Sequence, residues 1–326
     1  MRKKNQLAGN LFAFGCVFAP VFLCASFAYF ILAPASGPER VVVEIRAGER
    51  LSHAADSLKS AGAIASRPMF KLWMYAMWKH NAIKAGEYEI PPRSSINDIK
   101  NIITSGRMMS RFVTVPEGLT LLQIHEVLNS VDDLPGKITI TAAEGELMPQ
   151  TYAYSRGMTK DDVIAKMKAA MKETVAAEWA ARAEGLPFAT PEEAVILASI
   201  IEKETSVEVE RGLVASVFVN RLARGMRLQS DPTVVYTLTK KYGSMGGRKL
   251  YKKDLQVDTP YNTYTRKGLP AGAICNPGIA SILAAMNPPD TDYLYFVADG
   301  SGGHRFAKTL KEHEKNRAEW KKARAE

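Results

Sequence analysis

The sequence predicts an α+β protein: an apolar N-terminal helix, then a small α+β module, then a larger domain of helices followed by strand and loop. Three observations carry that reading. Residues 11–33 are 23 mostly apolar residues inside a stretch from Asn5 to Pro38 that has no charged side chain. Between residues 41 and 108, β-rich runs alternate with helical periodicity and with glycine and proline stops. From Pro191 to Arg224 two strongly helical segments follow one another, and after Gly225 Gly, Pro, Asn and Tyr dominate.

Taken in order, residues 1–10 carry Arg2, Lys3 and Lys4, and 11–33 is long enough, at about 1.5 Å per residue, to cross a hydrocarbon layer of roughly 30 Å. The positive-inside rule places the N-terminus in the cytoplasm and the rest outside. A cleaved signal peptide is the rival, but its apolar stretch spans only about 7–15 residues. Residues 34–40, with Pro34 and Pro38, read as a linker. In 41–108, Val41 to Ile45 reads as a strand, Leu51 to Ser60 as a helix stopped near Gly62, and Met69 to His80 as a second helix with an aromatic and Met stripe facing the core. Gly86 to Pro92 reads as a returning strand, and Ser94 or Ser95 caps a helix from Ile96 to Thr104.

The remainder, 109–326, opens on a weak repeat: Val43, Ile45, Gly48, Leu51 and Leu58 recur as Val113, Val115, Gly118, Leu121 and Leu128, predicting strand, glycine turn and helix twice. Residues 144–152 are turn-rich, and helices are expected over 160–183, 191–205 and 209–224. Strand and loop are expected after Gly225, and a charged terminal helix over 308–325.

Composition excludes several classes of chemistry. Of three cysteines, Cys16 and Cys24 lie in the apolar run, so Cys275 has no partner for an intramolecular disulfide. The five histidines include no pair at metal-ligand spacing, so neither a metal nor a cofactor is expected. The net charge is +9, or +6 without the three N-terminal basic residues, which favours an anionic partner such as lipid headgroups or acidic wall peptides. Export past a membrane removes nucleic acid from consideration. There is no nucleophile elbow, phosphate-cradling loop, zincin motif or dinucleotide fingerprint.

What remains is a carboxylate at the end of an apolar helix. Thr190, Pro191 and Glu193 form a helix start, residues 194–201 are apolar except Ser199, and Glu202 then emerges at the C-terminal end. Burial and the negative end of the macrodipole both oppose its ionisation, while Lys203 favours it. Periodicity leaves open a solvated last-turn residue and does not choose between Glu202 and Glu204. Gln229, Asp231, Tyr261, Asn262 and Tyr264 follow in polar, aromatic segments suited to a saccharide. An Asx turn at Asp231 and a structural turn at 261–264 are their plain alternatives.

Six ordered runs are similar to those of the endolytic murein transglycosylases, the MltG or YceG-like family: Ala198-Ser-Ile-Ile-Glu-Lys-Glu-Thr205, Ala215-Ser-Val-Phe-Val-Asn-Arg-Leu222, Met226-Arg-Leu-Gln-Ser-Asp-Pro-Thr233, Tyr261-Asn-Thr-Tyr264, Gly268-Leu-Pro-Ala-Gly-Ala273, and Tyr293-Leu-Tyr-Phe-Val-Ala-Asp299 with Gly302-Gly-His304. The 41–108 segment resembles the LysM-like module of membrane-anchored wall enzymes, a class that binds N-acetylglucosamine-containing glycans; a plain spacer is its alternative. The chain departs from the family pattern at Ala143 and at Gln150.

The resemblance implies that Glu202 is the sole acid/base and that the product ends in a 1,6-anhydro ring, with Gln229, Asp231, Tyr261, Asn262 and Tyr264 as the candidate substrate contacts. It also implies peptidoglycan strands as substrate, an inner-membrane location with a periplasmic catalytic domain, and a peptidoglycan synthase as a further partner. Two other readings stand beside it: a hydrolytic muramidase with Asp231 or Glu204 as second carboxylate, and a non-catalytic wall-binding scaffold.

Overall fold

The computed structural model describes residues 25–243 and 247–323. The helix expected over 11–33 lies largely outside them. Residues 25–32 are helical, and no helix among the described residues is long and apolar enough to cross a membrane. The described chain forms two compact units, one running to Arg111 and including Ala153–Gly157, the other formed by Phe112–Tyr152 and the residues from Met158 onward.

In the first unit, β1 (Val41–Ile45) pairs antiparallel with β2 (Gly86–Ile90), Val41 opposite Ile90 and Ile45 opposite Gly86. Between them lie α1 (Leu51–Ser60) and α2 (Arg67–Ala76), and α3 (Ile96–Ser105) follows. Val43 and Ile45 point inward by strand alternation and meet Leu58, Phe70, Met74, Tyr88 and Ile99 in one core. Ser95 and Asp98 close a capping box on α3, and Gly106 ends it at φ +77°. Helix α2 stops at Ala76, short of the expected His80. Trp78 N–H donates to Tyr75 O and Lys79 N–H to Met74 O, a Schellman ending with Trp78 in the left-handed region at φ 53°.

The segment 34–40, expected as a linker, is partly fastened. Ala35 and Ser36 N–H donate to Ser94 O, Arg93 N–H donates to Gly37 O, and the buried Ser36 hydroxyl both donates to Pro91 O and accepts from Ser94 N–H.

The chain passes between units in β3 (Arg111–Thr114) and β4 (Thr151–Tyr154), which pair with each other. In the second unit, Thr120 and Gln123 cap α4 (Leu121–Asn129), and α5 (Lys160–Ala180) begins at a Thr159/Asp162 box. The repeat is real as strand, left-handed glycine and helix, with Gly48 at φ +81° and Gly118 at φ +74°. The second copy does not rebuild the module: only one helix follows β3 before its partner strand.

Helix α6 (Pro191–Glu204) starts at the Thr190/Glu193 box with Pro191 in its first turn, and residues 194–201 are buried apart from Ile196, which is half-buried. Around it pack α7 (Arg211–Ala223), preceded by a 3-10 turn at Glu208–Glu210, and α9 (Ile279–Met286). Leu197, Ile200, Ile201, Phe218, Ile282 and Met286 share this core. A hairpin of β5 (Tyr295–Ala298) and β6 (His304–Ala307) precedes α10 (Leu310–Ala323).

The region after Gly225, expected as strand and loop, is partly helical. Besides α9 it holds α8 (Asp231–Tyr242). The turn-like Ser230-Asp231-Pro232 is the entrance to α8, with Pro232 in the first turn, and burial of Thr233, Val234 and Tyr236 overrides the strand preference of its β-branched residues.

Candidate active site

The last turn of α6 delivers two carboxyls about 200° apart around the helix, because Glu202 and Glu204 are two residues apart. Glu202 is the one on the α9 side, with a side chain only 7% exposed. Its Oε2 accepts from the Ser281 hydroxyl at 2.6 Å and from Gly278 N–H at 3.1 Å. Its Oε1 lies 3.9 Å from the guanidinium of Arg211, whose Nε–H is buried without a hydrogen-bond partner. Burial and helix end are therefore joined by two donors and a cation that stabilise charge on this carboxyl.

A second carboxyl stands beside it. Glu117, exposed and in the loop between β3 and α4, packs so closely on Gly278 that a Cβ there would lie 1.9 Å from its Oε1. Partial desolvation of its carboxyl first and the neighbouring Glu202 charge second raise the pKa of Glu117, with Arg211 opposing. Asn276 fixes this juxtaposition. Its backbone makes two links to the loop that carries Glu117: Gly118 N–H donates to Asn276 O at 3.0 Å, and Asn276 N–H donates to Leu119 O at 2.9 Å. Its side-chain Oδ1 accepts from Gly145 and Leu147 N–H, while its amide nitrogen donates to Leu119 O and Glu144. Lys203 adds a bond from its ammonium to Gly118 O at 3.2 Å.

Glu204 enters a different cluster. Its Oε1 accepts from Ser230 Oγ at 2.5 Å, and burial pushes its carboxyl up to about 7, with Asp231 adding to the shift and His304 and Arg221 opposing it. Asp231 accepts from the Tyr264 hydroxyl at 2.5 Å, and burial together with Asp231 raises that phenol. His304 is held through Nδ1 to Glu210 at 2.7 Å.

The residues expected to contact substrate thus fall into two kinds. Asp231 and Tyr264 form one pair, and Gln229 is exposed with a left-handed backbone at φ 52°, bonded through its N–H to Thr263 O. Tyr261 is half-buried against Tyr236, ring centroids 5.0 Å apart. Asn262 is 1% exposed, and its amide is fully engaged within the loop: it donates to Leu255 O and Val257 O and accepts from Tyr264 N–H.

Sequence reasoning missed Glu117, Arg211 and Ser281. Ser281 carries a usable signal, a lone hydroxyl in the apolar run Ile279–Met286; the other two carry none. Cys275 is a buried free thiol against Ser199 O. The described residues contain no group of three His, Cys, Asp or Glu placed to hold a metal. An apolar cleft of about 660 Å³ opens between α5 and α6, lined by Met171, Val175 and Val195; Glu202 is not in its lining.

Comparison with known proteins bears on this arrangement. The profile of the YceG-like family matches residues 43–319. An endolytic murein transglycosylase of Bacillus subtilis (strain 168) is 34% identical over 309 residues, covering 84% of this chain and 83% of the relative. One from Streptococcus pneumoniae serotype 2 is 27% identical over 330 residues; the match takes in 87% of this chain but only 59% of that longer protein. A crystal structure of a YceG-like protein from Listeria monocytogenes superposes with a TM-score of 0.53 at 32% identity, covering 85% of this chain and 98% of the other.

Proposed function

This chain belongs to the YceG-like family, and from that premise we propose that it is a peptidoglycan lytic transglycosylase that cuts within glycan strands, with Glu202 as its acid and then its base. The observation that carries the reading is the placement of Glu202: an enclosed carboxyl held by Ser281 Oγ and Gly278 N–H at the end of the buried helix α6. Two donors on one oxygen fix the side chain's rotamer and leave Oε1 as the atom that transfers the proton.

The reaction runs in two proton steps. Glu202 gives its proton to the oxygen joining N-acetylmuramic acid to N-acetylglucosamine, and the bond from that oxygen to the anomeric carbon breaks. The muramic 6-hydroxyl then bonds to the anomeric carbon and returns its proton to Glu202, so the ring closes as a 1,6-anhydro end and no water is consumed. Arg211 stabilises the carboxylate between the steps, and the Ser281 and Gly278 donors strengthen as charge develops on it. Gln229, Asp231, Tyr261 and Tyr264 contact the glycan, while Asn262 builds the loop that carries the tyrosines.

Hydrolysis would require a second carboxylate to activate water: Asp231 and Glu204 are engaged by Tyr264 and Ser230, so Glu117, the carboxyl beside Glu202, is the group that would have to supply it. Mass spectrometry of products from purified glycan strands separates the readings. Anhydro ends weigh one water less than reducing ends, and a scaffold releases nothing. Glu202→Gln is expected to abolish release; full activity in that variant would remove Glu202 from the mechanism.

The finer reading is an enzyme anchored in the inner membrane by residues 11–33, its catalytic unit periplasmic, acting on nascent strands beside a synthase and terminating their growth. The charge-free run from Asn5 to Pro38 supports the anchor. The strand-helix-helix-strand order of β1, α1, α2 and β2 with antiparallel pairing supports a LysM-like module.

A further inference from the structure

The first unit carries an apolar surface continuous with the N-terminal segment. Phe27, Phe30 and Ile31 of the 25–32 helix turn inward: Phe27 meets the Trp73 ring edge-on at 6.1 Å, Phe30 packs on the core of the unit, and Ile31 is 5% exposed. The opposite side is bare and, apart from Ser26, without a polar aliphatic side chain, with Tyr29 76% and Leu32 68% exposed. On α2 and its ending, Leu72, Tyr75 and Trp78 are exposed as well, Trp78 at 85% on a left-handed backbone. Lys71 and Lys79 border these residues. A helix apolar on all sides belongs in a protein core or in lipid, and a Trp and Tyr cluster edged by Lys matches the composition of a membrane-water interface.

We infer that this face of α2, with Leu72, Tyr75 and Trp78, lies in the outer interface of the bilayer, so that the first unit rests on lipid rather than standing off it. The inference depends on the membrane-anchor reading of residues 11–33. Depth supports it. Phe27 precedes Ala33, the end of the apolar run, by six residues, or about 9 Å of helix. A helix touching Phe27 through Trp73 therefore lies level with the last turns of the anchor. There is no slack to lift it away, because Ala35, Ser36 and Gly37 are bonded directly to Ser94, Pro91 and Arg93 of the same unit. The flanking ammonium groups select anionic headgroups as the neighbouring lipid.

The test uses the full chain reconstituted into vesicles of phosphatidylethanolamine and phosphatidylglycerol, with and without bromine on the upper acyl carbons. Trp78 is read as the difference between the native protein and Trp78→Phe, a change at an exposed side chain that leaves the fold intact. The expected result is at least a twofold loss of the Trp78 emission in brominated vesicles, and a smaller loss when phosphatidylglycerol is omitted. Equal Trp78 emission with and without bromine, in protein that floats with the vesicles, would overturn the interfacial placement and leave the anchor standing. Protein that fails to float would remove the anchor and this inference together.

Discussion

Gly278→Ala isolates the contribution of Glu117 to the site. The backbone at Gly278 has φ −77° and ψ 169°, which any residue adopts, and its N–H remains free to hold Glu202. The obstacle is the new methyl, which would lie 1.9 Å from Glu117 Oε1 and 2.1 Å from its Cδ, whereas real Cβ contacts stay beyond 3.0 Å. Glu117 must therefore retreat by at least about 1 Å, and being the end of an exposed side chain it can do so. Alanine in place of glycine at the start of α9 costs about 1 kcal/mol in capping, so the fold survives. A shift of that size in a group beside the reacting carboxyl predicts a loss of up to about 100-fold in the rate of anhydro-end release. The assay is product mass spectrometry on purified strands, with urea unfolding as the stability control. Glu117→Ala and the double variant complete a cycle: if the loss runs through Glu117, Gly278→Ala adds nothing in its absence. Losses that multiply in the double variant, or full activity in Gly278→Ala, would refute the assignment of Glu117 to the site.

Two further outcomes follow from Glu204 and Gln229. Glu204 ionises at about 7 in the native protein against an ordinary 4.5, so between those values the native state holds a proton that the unfolded chain has released. Stability from this group is full below about 4.5 and declines as pH rises through about 7, by up to about 3 kcal/mol, and Glu204→Gln is expected to lose that slope in urea unfolding at pH 5 and 8; identical slopes in both proteins would refute it. Gln229→Gly removes about 1–2 kcal/mol of left-handed strain but adds unfolded-state entropy of similar size, so the urea midpoint stays put while KM rises several-fold. An unchanged KM would remove the Gln229 side chain from substrate binding.

The fold was legible wherever local chemistry decides. The Thr190/Glu193 pair marks a helix start in the sequence because both partners lie within three residues, and Ser95, one of the two serines expected to cap the helix from Ile96, does so with Asp98. Gly48 and Gly118 mark their turns because only glycine takes a left-handed φ without strain. Legibility failed where distant burial decides. Helix α8 reads as strand and turn because its Val and Thr residues prefer strands, and only their burial in the second unit reverses that preference. The ending of α2 at Trp78 was equally hidden, since a bulky residue in a left-handed position leaves no compositional mark.

The site shows the same division more sharply. Periodicity gives Glu202 and Glu204 the same helix end and similar burial, so it has no means of assigning them different chemistry. They differ through hydroxyls 79 and 26 residues further along the chain: Ser281 bonds Glu202, and Ser230 bonds Glu204. The carboxyl that burial raises most clearly, Glu204, stands among Asp231, Tyr264 and Arg221, whereas Glu202 faces Gly278, Arg211 and Glu117. Perturbation alone would therefore select Glu204 as the acid. Family motif and geometry select Glu202 instead, and the comparison of Glu202→Gln with Glu204→Gln separates the two criteria. Loss of anhydro product in the first with retention in the second supports partner geometry over burial as the guide to the acid, and the reverse pattern would transfer the role to Glu204.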